Sequence, residues 1–303
     1  MSLLVVGSIA FDSVKTPFGA ADEVLGGSAT YFSTAASYFT DVKLVAVVGD
    51  DFPDKHVQFL KNRRIDVSGL QKSEGRTFRW KGEYGYDLNE ARTLDTQLNV
   101  FESFRPNIPD AYRASDVVFL ANIDPVLQRE VLHQINRPKL VACDTMNFWI
   151  GGKKDELVKT LAEVDILLIN EAEARELAGE PNLVKAARAV QAMGPGTLIV
   201  KRGEYGSVMF NSGGIFSAPA YPLEAVFDPT GAGDSFAGGF MGYLDNVQNF
   251  DEASLRQAII FGSVMASFNV EDFSLNGMKS LDYKEIEGRY REFRKITFFE
   301  DIA

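Results

Sequence analysis

Asp228-Pro229-Thr230-Gly231-Ala232-Gly233-Asp234-Ser235-Phe236 is the stretch that decides how this chain is read. It follows a short extended segment and opens a helical pattern of apolar residues at Phe236, Phe240, Met241 and Leu244. Three small residues at a helix start leave the N–H groups of Gly231, Ala232 and Gly233 uncovered. With the positive end of the helix dipole they make an anion site. Asp234, a carboxylate beside a bound phosphate, is suited to take a proton from whatever attacks that phosphate. The arrangement points to phosphoryl transfer. Read locally, Gly-Ala-Gly is a flexible turn and Asp234 a helix cap. Against that, Gly238 and Gly239 lie inside the helix, where each costs roughly 1 kcal/mol relative to alanine. Glycine there marks close approach by another backbone or a ligand.

The longer segment Asp228 to Met241, DPTGAGDSFAGGFM, resembles the C-terminal signature of the ribokinase-like carbohydrate kinases, the phosphofructokinase B family. The resemblance implies that Asp234 is the catalytic base and that the backbone of Gly231, Ala232 and Gly233 forms an anion hole for the transferred phosphoryl group. It places Thr230 on the nucleotide side.

Further motifs extend the resemblance along the chain. Asp12 lies shortly after a first strand, where ligands of open α/β sheets bind. Read alone it is a turn residue; in the family pattern it looks like the acid that clasps the acceptor's hydroxyls. Leu25-Gly26-Gly27-Ser28-Ala29-Thr30-Tyr31-Phe32 resembles the glycine pair that lets backbone approach the sugar. The family usually carries asparagine where this chain has Thr30, a departure that alters hydrogen-bonding capacity. Gly26, Gly27 and Thr30 are thus the expected acceptor contacts.

Asn170-Glu171-Ala172-Glu173 resembles the Asn-x-x-Glu motif that holds hydrated magnesium and the phosphates, with Asn170 on the nucleotide and Glu173 on the metal, through water. The same residues also read as a helix capping box, and both readings can hold together. Lys201-Arg202-Gly203-Glu204-Tyr205-Gly206 resembles the turn that meets the nucleotide, making Lys201, Gly203 and Gly206 nucleotide-binding. A two-glycine hairpin explains those glycines equally well. Phe261 to Asn269 looks like the helix that walls the adenine, or is simply core. Asp144 and Asn147 fall at the right edge of the sheet but match no family motif.

The remaining pattern agrees in class. Apolar strands (Leu3–Val6, Leu44–Val48, Val117–Ala121, Leu140–Cys143, Ile166–Ile169, Thr197–Lys201, Ser207–Phe210) alternate with helical segments. That rhythm indicates a mostly parallel sheet covered on both faces. From Arg76 to Phe104 it breaks: Phe78, Trp80, Gly82 and Tyr84 alternate with Arg79, Lys81 and Glu83, a strand with one aromatic face. A second extended piece, Gln97–Phe101, is expected to pair with it. The expected fold is an α/β, ribokinase-like three-layer sandwich. It forms one domain over 1–303, with a small β-sheet lid built from about 13–25 and 76–104.

Composition excludes more than it identifies. The 303 residues are 46% hydrophobic and carry a net charge of −11, which disfavours nucleic acid or an anionic membrane as partner. One cysteine, Cys143, precludes an internal disulfide and fits a reducing compartment. His56 and His133 show no metal-ligand spacing. No Walker loop occurs, and only Gly7 follows the first strand, so a dinucleotide fingerprint is missing. No run is long enough to span a membrane, and the N-terminal apolar run lacks the marks of a signal peptide. The expectation is a cytoplasmic kinase. It would use ATP and Mg²⁺, with a monovalent cation as a further candidate, to phosphorylate a hydroxyl of a sugar or sugar-like alcohol. The alternatives are a nucleoside kinase of the same fold, in which Phe78, Trp80 and Tyr84 stack a base, and a non-catalytic sugar-binding regulator. A phosphosugar acceptor would need Arg76, Arg79 and Arg92 as a clamp. An exposed lid edge offers a route to a homodimer.

Overall fold

The computed structural model describes residues 3–301. In chain order its strands and helices are β1 (Leu3–Val6), β2 (Ala10–Thr16), β3 (Gly19–Gly26), α1 (Ser28–Ala36), β4 (Val42–Val48), α2 (Asp54–Lys61), β5 (Ile65–Lys72), β6 (Phe78–Tyr84) and β7 (Ala91–Gln97). Then follow β8 (Val117–Leu120), α3 (Pro125–Leu132), β9 (Leu140–Asp144), α4 (Asn147–Gly152), α5 (Lys154–Leu161), β10 (Ile166–Asn170), α6 (Glu171–Ala178), α7 (Leu183–Gln191) and β11 (Thr197–Lys201). The chain closes with β12 (Ser207–Asn211), β13 (Gly214–Ala218), α8 (Ala232–Val247), α9 (Glu252–Asn269) and α10 (Tyr283–Thr297).

Among the described residues these strands form two sheets. The larger runs β13-β12-β11-β10-β9-β8-β1-β4-β5. It is parallel from β5 to β11 and antiparallel at the β11–β12 and β12–β13 edge. Strand side chains alternate, so an uninterrupted apolar run supplies both faces at once. In β1, Leu3 and Val5 enter one buried cluster with Phe32, Phe240 and Ile259, while Leu4 and Val6 enter another with Val131, Leu157 and Leu177. That is the three-layer α/β architecture expected from sequence.

Gly238 and Gly239 meet backbone rather than ligand. A Cβ on Gly238 would stand 2.3 Å from the Phe32 carbonyl oxygen, and one on Gly239 2.7 Å from that of Phe261. The glycines therefore let α8 pack at backbone contact between α1 and α9, which aims its N-terminus at the sheet's carboxyl edge.

The smaller sheet runs β3-β2-β6-β7, with β2 and β6 parallel. Asp12 pairs with Trp80, so Asp12, Trp80, Gly82 and Tyr84 share a face. The second strand expected at Gln97–Phe101 lies earlier: β7 is Ala91–Gln97, and Asn99–Phe101 is a short 3₁₀ turn. Every residue of β7 is exposed, so it carries no apolar alternation to read. Phe101 turns inward and stacks on Phe78 with centroids 5.3 Å apart, so one face of the Phe78 ring is already covered. Among the described residues no helix is long and apolar enough to cross a membrane.

Candidate active site

The signature loop is held by its own first residue. Asp228, 1% exposed, accepts the Thr230 N–H at 2.9 Å and the Ser274 N–H at 3.1 Å. Asn269 donates to the Thr230 carbonyl at 2.8 Å and accepts from Ser235 at 3.2 Å. Gly231, the residue before α8, then takes φ +76°, and its α-carbon lies on the ring of Tyr31, where a Cβ would fall 2.3 Å from Cγ. Only glycine satisfies both constraints.

The anion hole differs from its sequence reading in one donor. The Ala232 N–H is spent on the Pro229 carbonyl at 3.1 Å. No partner is bonded to the N–H groups of Gly231 and Gly233 among the described residues, which leaves these two, with the helix dipole, able to receive an anion. Asp234 follows in the first turn of α8. Burial, reinforced by Asp144, pushes its carboxyl up to about 7, and Lys201 opposes the shift.

Asp12 converges on the same place from β2. It is 4% exposed and lies so close to Gly26 that a Cβ there would fall 1.9 Å from Oδ2. Burial raises its pKa to about 7 against the Gly27 N–H, with Asp228 and Asp234 adding to the rise. Gly27 (φ +92°) has Ser8, Ile9 and Ala10 backbone pressed against its α-carbon. Tyr31, not Thr30, reaches this cluster. The Tyr31 hydroxyl is buried without a bonded partner, near Asp12, Asp228, Asp234 and Tyr84. It lies close enough to Asp12 to favour its charge, though out of hydrogen-bond geometry. Thr30 is fully buried in α1 with its hydroxyl unpaired, and its carbonyl accepts from Thr34. Of the two neighbouring residues, the helix turns Tyr31 rather than Thr30 toward the acids.

Asn170, Lys201, Gly203 and Gly206, expected from sequence to meet the nucleotide, gather at the ends of β10 and β11. Asn170 and Glu173 form the capping box in full: each side chain accepts the other's backbone N–H, at 2.8 and 3.0 Å. Burial and the nearby Asp144 push Glu173 up to about 7, with Lys201 opposing. A carboxyl crowded by another in this way is relieved by a cation. Among the described residues no three His, Cys, Asp or Glu close around a metal. Such a sparse acidic edge fits Mg²⁺, which keeps most of its waters.

Gly206 (φ +84°) sits against the Ala218 carbonyl, and the Gly203 α-carbon faces Asn89 from the turn between β6 and β7. The smaller sheet thus reaches the nucleotide-side loop, and Tyr84 of β6 meets the Thr230 hydroxyl at 3.3 Å. Phe261, which opens the segment that looks like an adenine wall, is buried and stacks on Tyr290 (4.3 Å) and Tyr243 (4.7 Å).

The raised carboxyls have a stability consequence. Asp12, Asp234 and Glu173 bind protons more tightly folded than unfolded, so the stability they confer at low pH is lost as pH climbs from about 4 to about 7. His56, lowered by burial, acts oppositely, as do the lowered carboxyls of Asp51, Asp66, Glu156, Glu171 and Asp251, whose contribution is complete by about pH 5. In chelator and without nucleotide, the unfolding temperature is expected to be lower at about pH 8 than at about pH 5. A melting temperature that rises across that interval in calorimetry contradicts the assignment.

A model of the pfkB family carbohydrate kinases matches residues 5–280. A cytidine kinase of Thermococcus kodakarensis is 30% identical over 247 residues, 80% of this chain and 87% of that protein. A 2-dehydro-3-deoxygluconokinase of Thermoproteus tenax is 35% identical over 259 residues, 79% of each. Among solved structures, the nucleoside kinase of Methanocaldococcus jannaschii superposes with a TM-score of 0.76 at 21% identity, over 96% of this chain and 98% of that one.

Proposed function

The chain belongs to the pfkB family of carbohydrate kinases, and from that premise we propose that it phosphorylates the ribose hydroxyl of a neutral nucleoside with ATP. The observation that carries the choice of acceptor is the face shared by Asp12, Trp80 and Tyr84. The Trp80 indole lies over Gly82, where a Cβ would fall 2.2 Å from the ring, and it is fixed by an Nε1–H bond to Thr93 at 3.2 Å. A fixed aromatic plane beside a buried carboxyl suits a base stacked on the one and sugar hydroxyls held by the other. Charge argues the same way. Asp12, Asp228 and Asp234 repel an anionic acceptor, and two of the three arginines that might offset them are engaged, Arg79 with Glu23 and Asp51 and Arg92 with Glu83. This disfavours sugar acids and phosphosugars.

In this reading Asp12 orients the acceptor, and Asp234 takes the proton of the attacking hydroxyl. The N–H groups of Gly231 and Gly233 stabilise charge on the phosphoryl oxygens. Mg²⁺, when bound beside Glu173 and Asn170, neutralises phosphate charge. Trp80→Ala is expected to raise the KM for its nucleoside by roughly 5- to 100-fold, the range of base stacking on an aromatic, and to leave weak phosphorylation of free ribose unchanged. Equal losses with nucleoside and ribose, or a preference for a sugar acid, count against the proposal.

A further inference from the structure

Lys201 is badly placed for stability. Its ammonium lies against the first turn of α8, where a Cβ on Gly233 would stand 3.0 Å from Nζ. The positive end of a helix repels a cation. The Lys201 side chain is 17% exposed and its partner Asp144 8% exposed, joined at 3.0 Å. A buried ion pair gains little stability, because desolvation offsets the attraction. An ammonium has three donors, yet among the described residues only Asp144 accepts from Nζ. Ser207, directly opposite Lys201 across β11 and β12, also carries a hydroxyl that is 2% exposed and unpartnered. Asp144 and Lys201 end β9 and β11, with Asn170 at the end of β10 between them. The ammonium thus stands between the candidate base and the magnesium-side acid.

We propose that Lys201 is the cation that meets the phosphoryl group in transit, and that Asp144 is the positioning residue that holds its ammonium against the Gly233 turn. This rests on the kinase reading above and adds to it. The acceptor oxygen forms its bond to the γ-phosphorus as the bond to the β–γ bridging oxygen breaks, and that electron pair leaves with ADP. The hydroxyl proton passes to Asp234. Lys201 keeps its protons, and its two remaining N–H donors serve the phosphoryl oxygens. Burial opposes its charge, but Asp144 and then Glu173 outweigh burial and hold its pKa above the ordinary lysine value.

Lys201→Met is expected to lower kcat by roughly 10²–10³-fold with the acceptor KM unchanged. In calorimetry it weakens a non-hydrolysable ATP analogue by about tenfold and leaves AMP binding unaltered. Asp144→Asn is expected to lower kcat by roughly tenfold with the acceptor KM unchanged, and Asp144→Glu to recover part of that loss, since the carboxylate that holds the ammonium against the Gly233 turn is restored. The double variant Asp144→Asn/Lys201→Met removes the partner charge that Lys201→Met alone would strand at Asp144, and should match Lys201→Met alone. The inference is overturned if Lys201→Met or the double variant stays within about threefold of wild-type kcat while Asp234→Asn is inactive. It is equally overturned if AMP and the ATP analogue weaken alike. A wild-type protein that forms no ADP with any acceptor fails the kinase reading itself, a separate result.

Discussion

Asp234→Asn is expected to lower turnover by roughly 10²–10⁴-fold, the usual contribution of a positioned general base. Asparagine keeps the size and the helix position of the side chain, so binding of nucleotide and acceptor should change little. The pH profile gives the sharper signature. With its pKa raised to about 7, Asp234 gains its charge as pH passes through about 7, and kcat/KM rises over that interval. Asp12 titrates in the same interval, and the two report jointly in wild type. The asparagine variant should keep only the weaker dependence due to Asp12. An acid limb identical in size and position in both proteins means that another group takes the proton.

Gly231→Ala carries the second large effect, and it acts through shape. The new methyl would lie 2.3 Å from the Tyr31 ring at φ +76°, so neither the loop nor the tyrosine can stay in place. Forcing a methyl into such a packed site costs roughly 1–3 kcal/mol of stability. A displacement of about 1 Å between the anion hole and the reacting groups costs about 100-fold in rate. Gly288→Ala, inside α10 with open space where its Cβ would go, is the control and should leave activity intact while keeping or slightly raising the melting temperature. If Gly231→Ala is as benign as that control, the contact with Tyr31 has no bearing on the site.

Much of this was legible in the chain because its strongest signals are local. The Asp228–Phe236 stretch carries the helix start, the small residues and the acid within nine positions, and the apolar strands announce a parallel sheet by having no polar face. The spacing of Asn170 and Glu173 likewise gave the capping box that the structure contains. What escaped was long-range or featureless. Asp144 and Lys201 stand 57 residues apart, and only the adjacency of β9, β10 and β11 joins them. Strand β7 is exposed throughout and offers no pattern, so the pairing strand was placed too late in the chain. The turn that spends the Ala232 N–H on Pro229 depends on Asp228 and Asn269 pinning the loop, which no local motif encodes. Tyr31 was passed over for its neighbour because the position of the glycine pair does not say which residue of the next helical turn faces the acids.

The most direct test is ADP formation from Mg·ATP with a panel of neutral nucleosides, free sugars and sugar acids, run on wild type and Asp234→Asn together. The expected result is ADP formed in proportion to one class of neutral nucleoside and abolished in the variant. Nucleoside-independent ADP release, or turnover that survives in Asp234→Asn, would contradict the account.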